Sequence, residues 1–329
     1  MPKVYNGSYT EMFKLAGKKA VIVGGAGGFG EKIAEAYAAN GVDVCISSRR
    51  ESALKESQAK IQAAAAPGVK VIYYACDATD EDAIVAFRDF VVSEAGLGGC
   101  DILVNAQGYN KKMWSWEIDT KVWKGMLDTN VTSMMYTCKY FGNWMKDHNL
   151  DAGETTVPQS EFEAGKANPN KGYGKIINFG SVRSIRAVAN GGNGNVPYNT
   201  TKGAVEMLTK AFAADLRPNI QVNAIGPTIT YTPMMVGLLP PDENVRNGIA
   251  AALPAQRIGY EIDVVGPAIF LASAACHRSE RGRHQGRHQD LVARFHHLPR
   301  WRSGRHQLIS AFIAIVAPEF VSGAIVGFL

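Results

Sequence analysis

The chain has 329 residues, 35 Lys and Arg against 30 Asp and Glu, a formal net charge of +5 and 46% apolar residues. This excludes a disordered or collagen-like chain and supplies enough apolar surface for one large α/β domain or two small ones. Five cysteines, at positions 45, 76, 100, 138 and 276, contain no CxxC pair and no short secreted framework, so reduced thiols packed as small hydrophobes are expected and no metal site.

The polar lead, residues 1–17, lacks the apolar stretch of a signal peptide. No window approaches about 18 uninterrupted apolar residues, so a cytoplasmic location without membrane contact is expected. Residues 19–23 (KAVIV) read as a buried strand, GGAGGFG follows, and EKIAEAYAAN reads as an amphipathic helix. Gly24, Gly28 and Gly30 thus form GxxxGxG between strand and helix. Glycines there permit a tight turn, let backbone N–H groups approach a pyrophosphate and let the helix N-terminus face its charge. Phe29, between the last two glycines, is counted with the same nucleotide-binding loop; the alternative is an ordinary turn.

A second strand, residues 42–47, ends in SSRR. An acidic residue there would bond the ribose 2′-OH of NAD, whereas arginine accommodates the 2′-phosphate of NADP. Arg49 and Arg50 occupy the place, so NADP(H) is favoured over NAD(H); the other reading is a solvated pair ahead of the helix at 51–66. A third strand, 69–75, closes on Cys76 and Asp77, and TDEDAIVAFRDFVVSEAG supplies a helix with an acidic first turn. Asp77 either caps that helix or touches the adenine. A fourth strand, 101–104, runs into Asn105-Ala-Gln-Gly108, and a helix over about 119–146 carries Asn130 midway. Asparagine is disfavoured inside helices, so a packing or catalytic reason is expected.

Residues 150–174 are polar and read as a surface excursion. The fifth strand, 175–179, delivers Ser181 at its C-terminal end. Tyr198 and Lys202 then stand four residues apart at the start of an Ala-rich helix reaching about 216, so both side chains leave one face. A free tyrosine titrates near pH ~10, and a neighbouring ammonium favours the phenolate and lowers that value, which suits a general acid or base. A sixth strand covers 220–225. Strands and helices alternate throughout, as in a Rossmann-type doubly wound parallel sheet whose ligands sit at the strands' C-terminal ends.

Over residues 14–275 these motifs resemble the classical short-chain dehydrogenase/reductase family. The glycine turn is similar to its cofactor loop, Asn105-Ala-Gln-Gly108 to its NNAG segment with two central departures, and Asn130, Ser181, Tyr198 and Lys202 to its catalytic tetrad. Val222-Asn-Ala-Ile-Gly-Pro227 followed by Thr232-Pro-Met234 is similar to its VNAIxPG…TPM stretch, with Thr228 where glycine is usual. The resemblance implies hydride transfer between nicotinamide C4 and a carbonyl or alcohol carbon. In it Tyr198 moves the proton, Lys202 lowers the tyrosine pKa and bonds the ribose, Ser181 holds the substrate oxygen and Asn130 fixes a water. It also implies cofactor contacts from Asn105, Gly108, Pro227 and Thr232. Two departures stand out: a Ser181–Tyr198 interval several residues longer than usual, and Gly27 where many NADP-using members carry a basic residue.

Residues 276–316 hold eight Arg, no Lys, two acids and six of the seven His, while the remaining chain balances 27 basic against 28 acidic residues. The excess charge thus belongs to one atypical block, and nucleic acid is not an expected partner of the domain. The block reads as a frame-shifted or aberrantly joined coding segment; a partner-binding insertion, a nucleic-acid arm and a His-rich metal site are the alternatives. An uninterrupted native reading frame would end the first reading. The expected organisation is a lead at 1–17, a dehydrogenase domain at 18–275, the basic block at 276–316 and a strand remnant at 317–329. A homotetramer or homodimer is expected if the C-terminus permits. The substrate is expected to be a small polar carbonyl or alcohol, such as a sugar acid or polyol, with the segment at 234–253 as a mobile lid. A 3-oxoacyl thioester is the alternative substrate, and a catalytically silent nucleotide-binding protein the alternative class.

Overall fold

The computed structural model describes residues 10–148, 174–187, 194–216, 220–253 and 255–276, and the backbone of 314–316. Six strands, β1 (Lys19–Val23), β2 (Asp43–Ser48), β3 (Val71–Ala75), β4 (Ile102–Asn105), β5 (Gly174–Phe179) and β6 (Ile220–Gly226), pair in parallel in the order β3-β2-β1-β4-β5-β6. The order reverses between β2–β1 and β4, which opens a crevice at the C-terminal ends of the central strands. A short seventh strand, β7 (Ala314–Val316), runs antiparallel to β6, so the sheet is not wholly parallel. It lies in the atypical block; the strand expected beyond 317, residues 277–313 and the excursion at 149–173 lie outside the described residues.

Side chains alternate across the strands and both faces are apolar, as a parallel sheet covered on both sides requires. Ala20, Ile22, Val44, Ile46, Val104 and Ile177 face α1 (Gly28–Ala39), α2 (Glu51–Ala64) and the late helix at Val265–Ala272. Val21, Val23, Cys45, Leu103, Ile176 and Val222 face the opposite layer, α3 (Glu81–Val92), α5 (Ser133–His148) and α6 (Val196–Asp215), with α4 (Thr120–Leu127) leading into α5. Each such aliphatic side chain contributes about 1.5–3 kcal/mol on full burial.

Between α4 and α5 the predicted helix is interrupted by one π-type turn at Asp128–Thr132, which holds Asn130. Such turns insert a residue without ending the helix and re-aim the side chains they carry. Beneath the crevice runs a buried polar network. Asn105 Nδ2 donates to Asn178 Oδ1 at 2.9 Å, Thr137 Oγ1 donates to Asn105 Oδ1 at 2.8 Å, and Asn178 Nδ2 donates to Thr209 Oγ1 at 3.0 Å. It ties β4, β5, α5 and α6 together directly below the site.

Candidate active site

The glycine turn is pinned across the end of β2, because Gly24 and Gly25 both donate to the Ser47 carbonyl, at 2.8 and 3.1 Å. Gly24 has φ +78°, and a Cβ there would stand 2.6 Å from the Gln107 nitrogen; a Cβ on Gly30 would overlap the Gly24 carbonyl oxygen. Only glycine lets strand, turn and helix close this tightly. Gly27 begins α1 and no side chain caps the helix, so its first-turn N–H groups face outward as an anion site. Above the turn, a Cβ on Gly28 would stand 3.7 Å from Pro233 Cδ and 4.0 Å from Thr232 Cβ, which places the Thr232–Pro233 segment as a cover. Thr232 Oγ1 accepts from Met235 N at 3.2 Å, leaving its own proton to give.

Arg49 and Arg50 are exposed at the end of β2, and among the described residues neither side chain has a hydrogen bond or ion pair. A cradle that only glycines can form, an uncapped helix N-terminus and two unpaired guanidinium groups fit a phosphate-bearing dinucleotide. The structure separates the other expected cofactor residues. The cap of α3 is Asp80, which accepts from Ala83 N; Asp77 is exposed and accepts instead from Thr79 N and Oγ1, at 3.0 and 2.8 Å. The Phe29 ring stacks on Phe179 at 5.2 Å and packs under the turn. The Asn105 side chain is turned into the buried network, which leaves only the backbone of this segment for the crevice. Pro227 is buried behind Ser181 and its carbonyl accepts from Val182 N at 3.2 Å.

Three elements bring the tetrad together, the π-type turn, the end of β5 and α6. Asn130, fully buried, clamps Tyr109: Oδ1 accepts from Tyr109 N at 2.7 Å and Nδ2 donates to Tyr109 O at 2.9 Å and to Thr201 Oγ1 at 3.0 Å. Thr201 Oγ1 in turn donates to the Tyr198 carbonyl at 2.8 Å. Lys202, also buried, donates from Nζ to Phe179 O at 2.6 Å and lies 5.6 Å from the centre of the Tyr198 ring. Gly108 belongs to the same cluster, since a Cβ on it would stand 3.8 Å from both Asn130 Oδ1 and Lys202 Nζ. Ser181, in extended backbone at the end of β5, accepts from Arg183 N at 3.2 Å.

The electrostatics depart from the sequence expectation. Burial raises the Tyr198 phenol above its ordinary value, and the opposing influences are a hydrogen bond with Ser181 and the charge of Arg183, not the lysine. Lys202 is itself pulled down to about 8 by burial. Desolvation penalises both ionic forms, so a dry site weakens the pairing that the four-residue spacing suggests. Arg183 is a charged neighbour of the phenol that the sequence alone did not single out. Its position between Ser181 and Ser184, at the end of the strand that carries the site, was the available signal. Thr201, the link between Asn130 and α6, was missed as well; nothing in the sequence sets it apart from Thr200.

The crevice is walled by the segment after β4, which joins the start of α6 through Met113 N donating to Gly194 O at 2.8 Å. On that wall the indoles of Trp114 and Trp116 stack at 5.0 Å and remain exposed. The expected lid forms a single turn at Pro233–Val236 and a helix at Glu243–Ala251; the loop at 188–193 lies outside the described residues.

A family model described as short chain dehydrogenase matches residues 18–154, and one described as enoyl-(acyl carrier protein) reductase matches residues 161–278. Gluconate 5-dehydrogenase of Gluconobacter oxydans (strain 621H) is 30% identical over 270 residues, 82% of this chain and 92% of its own. Galactitol 2-dehydrogenase (L-tagatose-forming) of Cereibacter sphaeroides is 27% identical over 269 residues, 81% and 92% of the two chains. A crystal structure of a gluconate 5-dehydrogenase from Burkholderia cenocepacia J2315 in complex with NADP and tartrate is 26% identical, with a TM-score of 0.67 over 82% of this chain and 92% of that one.

Proposed function

From the chain's membership of the short-chain dehydrogenase family, oxidoreductases acting on CH–OH groups, we propose that it interconverts a ketone and a secondary alcohol on a sugar acid or polyol, with NADP(H) preferred. The observation that carries this reading is the Tyr198 phenol, half-buried, under the influence of Ser181 and flanked by Lys202, whose Nζ lies 5.6 Å from its ring centre, together with an uncapped glycine turn. The dinucleotide, when bound, gives or accepts the hydride. Gly24, Gly28 and Gly30 with the start of α1 would hold its phosphates, and Arg49 and Arg50 the 2′-phosphate. The free proton of Thr232 and the backbone at Gly108 would meet the nicotinamide half. Asp77, at the end of β3, remains available to the adenine.

The chain's own residues account for the proton. Ser181 orients the substrate oxygen, and the Tyr198 O–H gives its proton to that oxygen on reduction or takes it back on oxidation. A phenol kept neutral by burial suits the donor role. Lys202, whose ammonium is held by Phe179 O, would bond a ribose hydroxyl of the bound dinucleotide. Asn130 holds Tyr109 and, through Thr201, the backbone of Tyr198 in register with Lys202. Both of its amide protons are spent, so it acts here as a positioning residue.

The test is the change in nicotinamide absorbance on mixing the full chain with NADPH or NADH and a panel of keto-acids, ketoses and an acetoacetyl thioester. Turnover fastest with NADPH and a keto-sugar acid or ketose is expected, abolished in Tyr198→Phe. Protein that binds NADPH and reduces nothing, or a Tyr198→Phe variant as active as the parent, overturns the reading.

A further inference from the structure

Near Tyr198 stands a positive charge that no acidic residue answers among the described residues. Arg183 is half-buried on the 3₁₀ turn Val182–Ser184, its backbone held to Ser181, and among the described residues its guanidinium has no hydrogen bond or ion pair. That turn packs on α6, since a Cβ on Gly203 would meet Ser184 O at 3.7 Å. Arg186 follows, exposed and also unpaired among the described residues. The carboxylate that lines the pocket beside Ser181, Glu206, is already matched by Lys210 at 2.8 Å. A half-buried guanidinium with five donors and no partner is an incomplete arrangement.

A second observation points to what completes it. Among the described residues, the amide oxygens Asn195 Oδ1 and Asn199 Oδ1 are buried without a hydrogen-bond partner. These residues stand four apart, and so on one side, in the first turn of α6, the turn that also carries Tyr198. Asn110 Oδ1, next to the clamped Tyr109, is orphaned in the same way. Buried acceptors without donors are rare in native proteins and call for a partner that brings protons. A forked cation near the phenol and two acceptors in the first turn of the phenol's own helix match a ligand with a carboxylate at one end and hydroxyl groups along its chain.

We propose that Arg183 selects the substrate by pairing with its carboxylate, and that the Asn195 and Asn199 amide oxygens accept from its hydroxyls, so the preferred substrate is a polyhydroxy acid and not the neutral polyol of the same length. This rests on the reading of the chain as a ketone and alcohol oxidoreductase, and its test separates the two.

Binding of D-gluconate and D-sorbitol is measured by calorimetry on full-length protein saturated with NADP, in the Tyr198→Phe background so that no turnover contributes heat. The expected result is gluconate bound at least tenfold more tightly than sorbitol, with the preference erased by Arg183→Gln through a loss of gluconate affinity on the order of 100-fold. Arg183→Lys, which keeps the charge without the fork, restores part of it and serves if the glutamine variant fails to fold. Asn199→Ala weakens both ligands and leaves their ratio standing. Equal affinity for the two ligands, a preference that survives in Arg183→Gln, or no binding of gluconate overturns the proposal. Gluconate preferred through Arg183 in a protein that oxidises no alcohol would refute the oxidoreductase reading and leave this one intact.

Discussion

Lys202→Met tests the claim that the site is dry enough to act against its own charges. Burial lowers the ammonium from 10.5 to about 8. A folded value below the unfolded one means that the protonated lysine costs stability, and the cost is full below pH ~8. It is relieved as pH climbs from about 8 toward 10.5, where the unfolded chain binds the extra proton. A shift of this size corresponds to about 3 kcal/mol at pH ~7, of which roughly 2 kcal/mol is recovered by pH ~9.5. Against it stands the 2.6 Å bond to Phe179 O, whose removal costs on the order of 1–3 kcal/mol. Methionine fills the same space, so near pH ~7 the two effects roughly cancel and catalysis alone collapses. Urea unfolding of parent and variant at several pH values isolates the lysine, because Lys175 and the buried thiols titrate equally in both. Parent stability minus variant stability should rise by roughly 2 kcal/mol between pH ~7 and ~9.5. A difference that stays flat or falls would refute the argument.

Arg49→Gln combined with Arg50→Gln removes charge-assisted bonds to a 2′-phosphate and should cut kcat/KM for NADPH by about 10–100-fold while leaving that for NADH nearly constant, as read by initial rates. Gly30→Ala drives a methyl into the Gly24 carbonyl, so a loss of about 1–3 kcal/mol and of NADPH affinity is expected by thermal shift with and without cofactor. Gly17→Ala, with φ +81° and nothing within 4 Å, should cost only about 1 kcal/mol and spare binding. Asn178→Ala strips Asn105 Nδ2 of its amide acceptor and should cost about 2–4 kcal/mol in urea midpoint analysis, more than an exposed asparagine change.

Much of the architecture was legible because the parallel sheet writes itself as short apolar runs punctuated by glycine and asparagine. KAVIV before GGAGGFG, and KIINF before Ser181, each announce a strand end where a ligand can sit. The spacing of Tyr198 and Lys202 fixed their common face for the same geometric reason. What escaped was set by contacts between distant segments. The π-type turn at Asn130 depends on Tyr109 and Thr201, 21 and 71 residues away, and no local propensity marks it. Asn105 looked like a cofactor residue because its motif lies at the crevice, yet its amide faces Asn178, 73 residues later. The direction of the tyrosine shift was misjudged because spacing reports proximity, whereas burial, which dominates, is a property of the closed fold.

The two shifts together constrain how the site can work. Desolvation pushes Tyr198 up and Lys202 down, so each moves toward its neutral form and the phenolate–ammonium pair is the disfavoured state of the buried couple. A general base needs the phenolate, and the pull toward it comes from the Ser181 hydrogen bond and the Arg183 charge. Yet Arg183 is the same group that lacks a carboxylate. Pairing it with an anionic substrate would screen its charge from the phenol and return Tyr198 toward the neutral donor that carbonyl reduction needs; a neutral substrate would leave the charge exposed and favour the phenolate that alcohol oxidation needs. The direction in which this site works best is therefore coupled to whether its substrate carries charge, a dependence that follows from placing an unpaired cation next to the acid–base group and not beside the lysine.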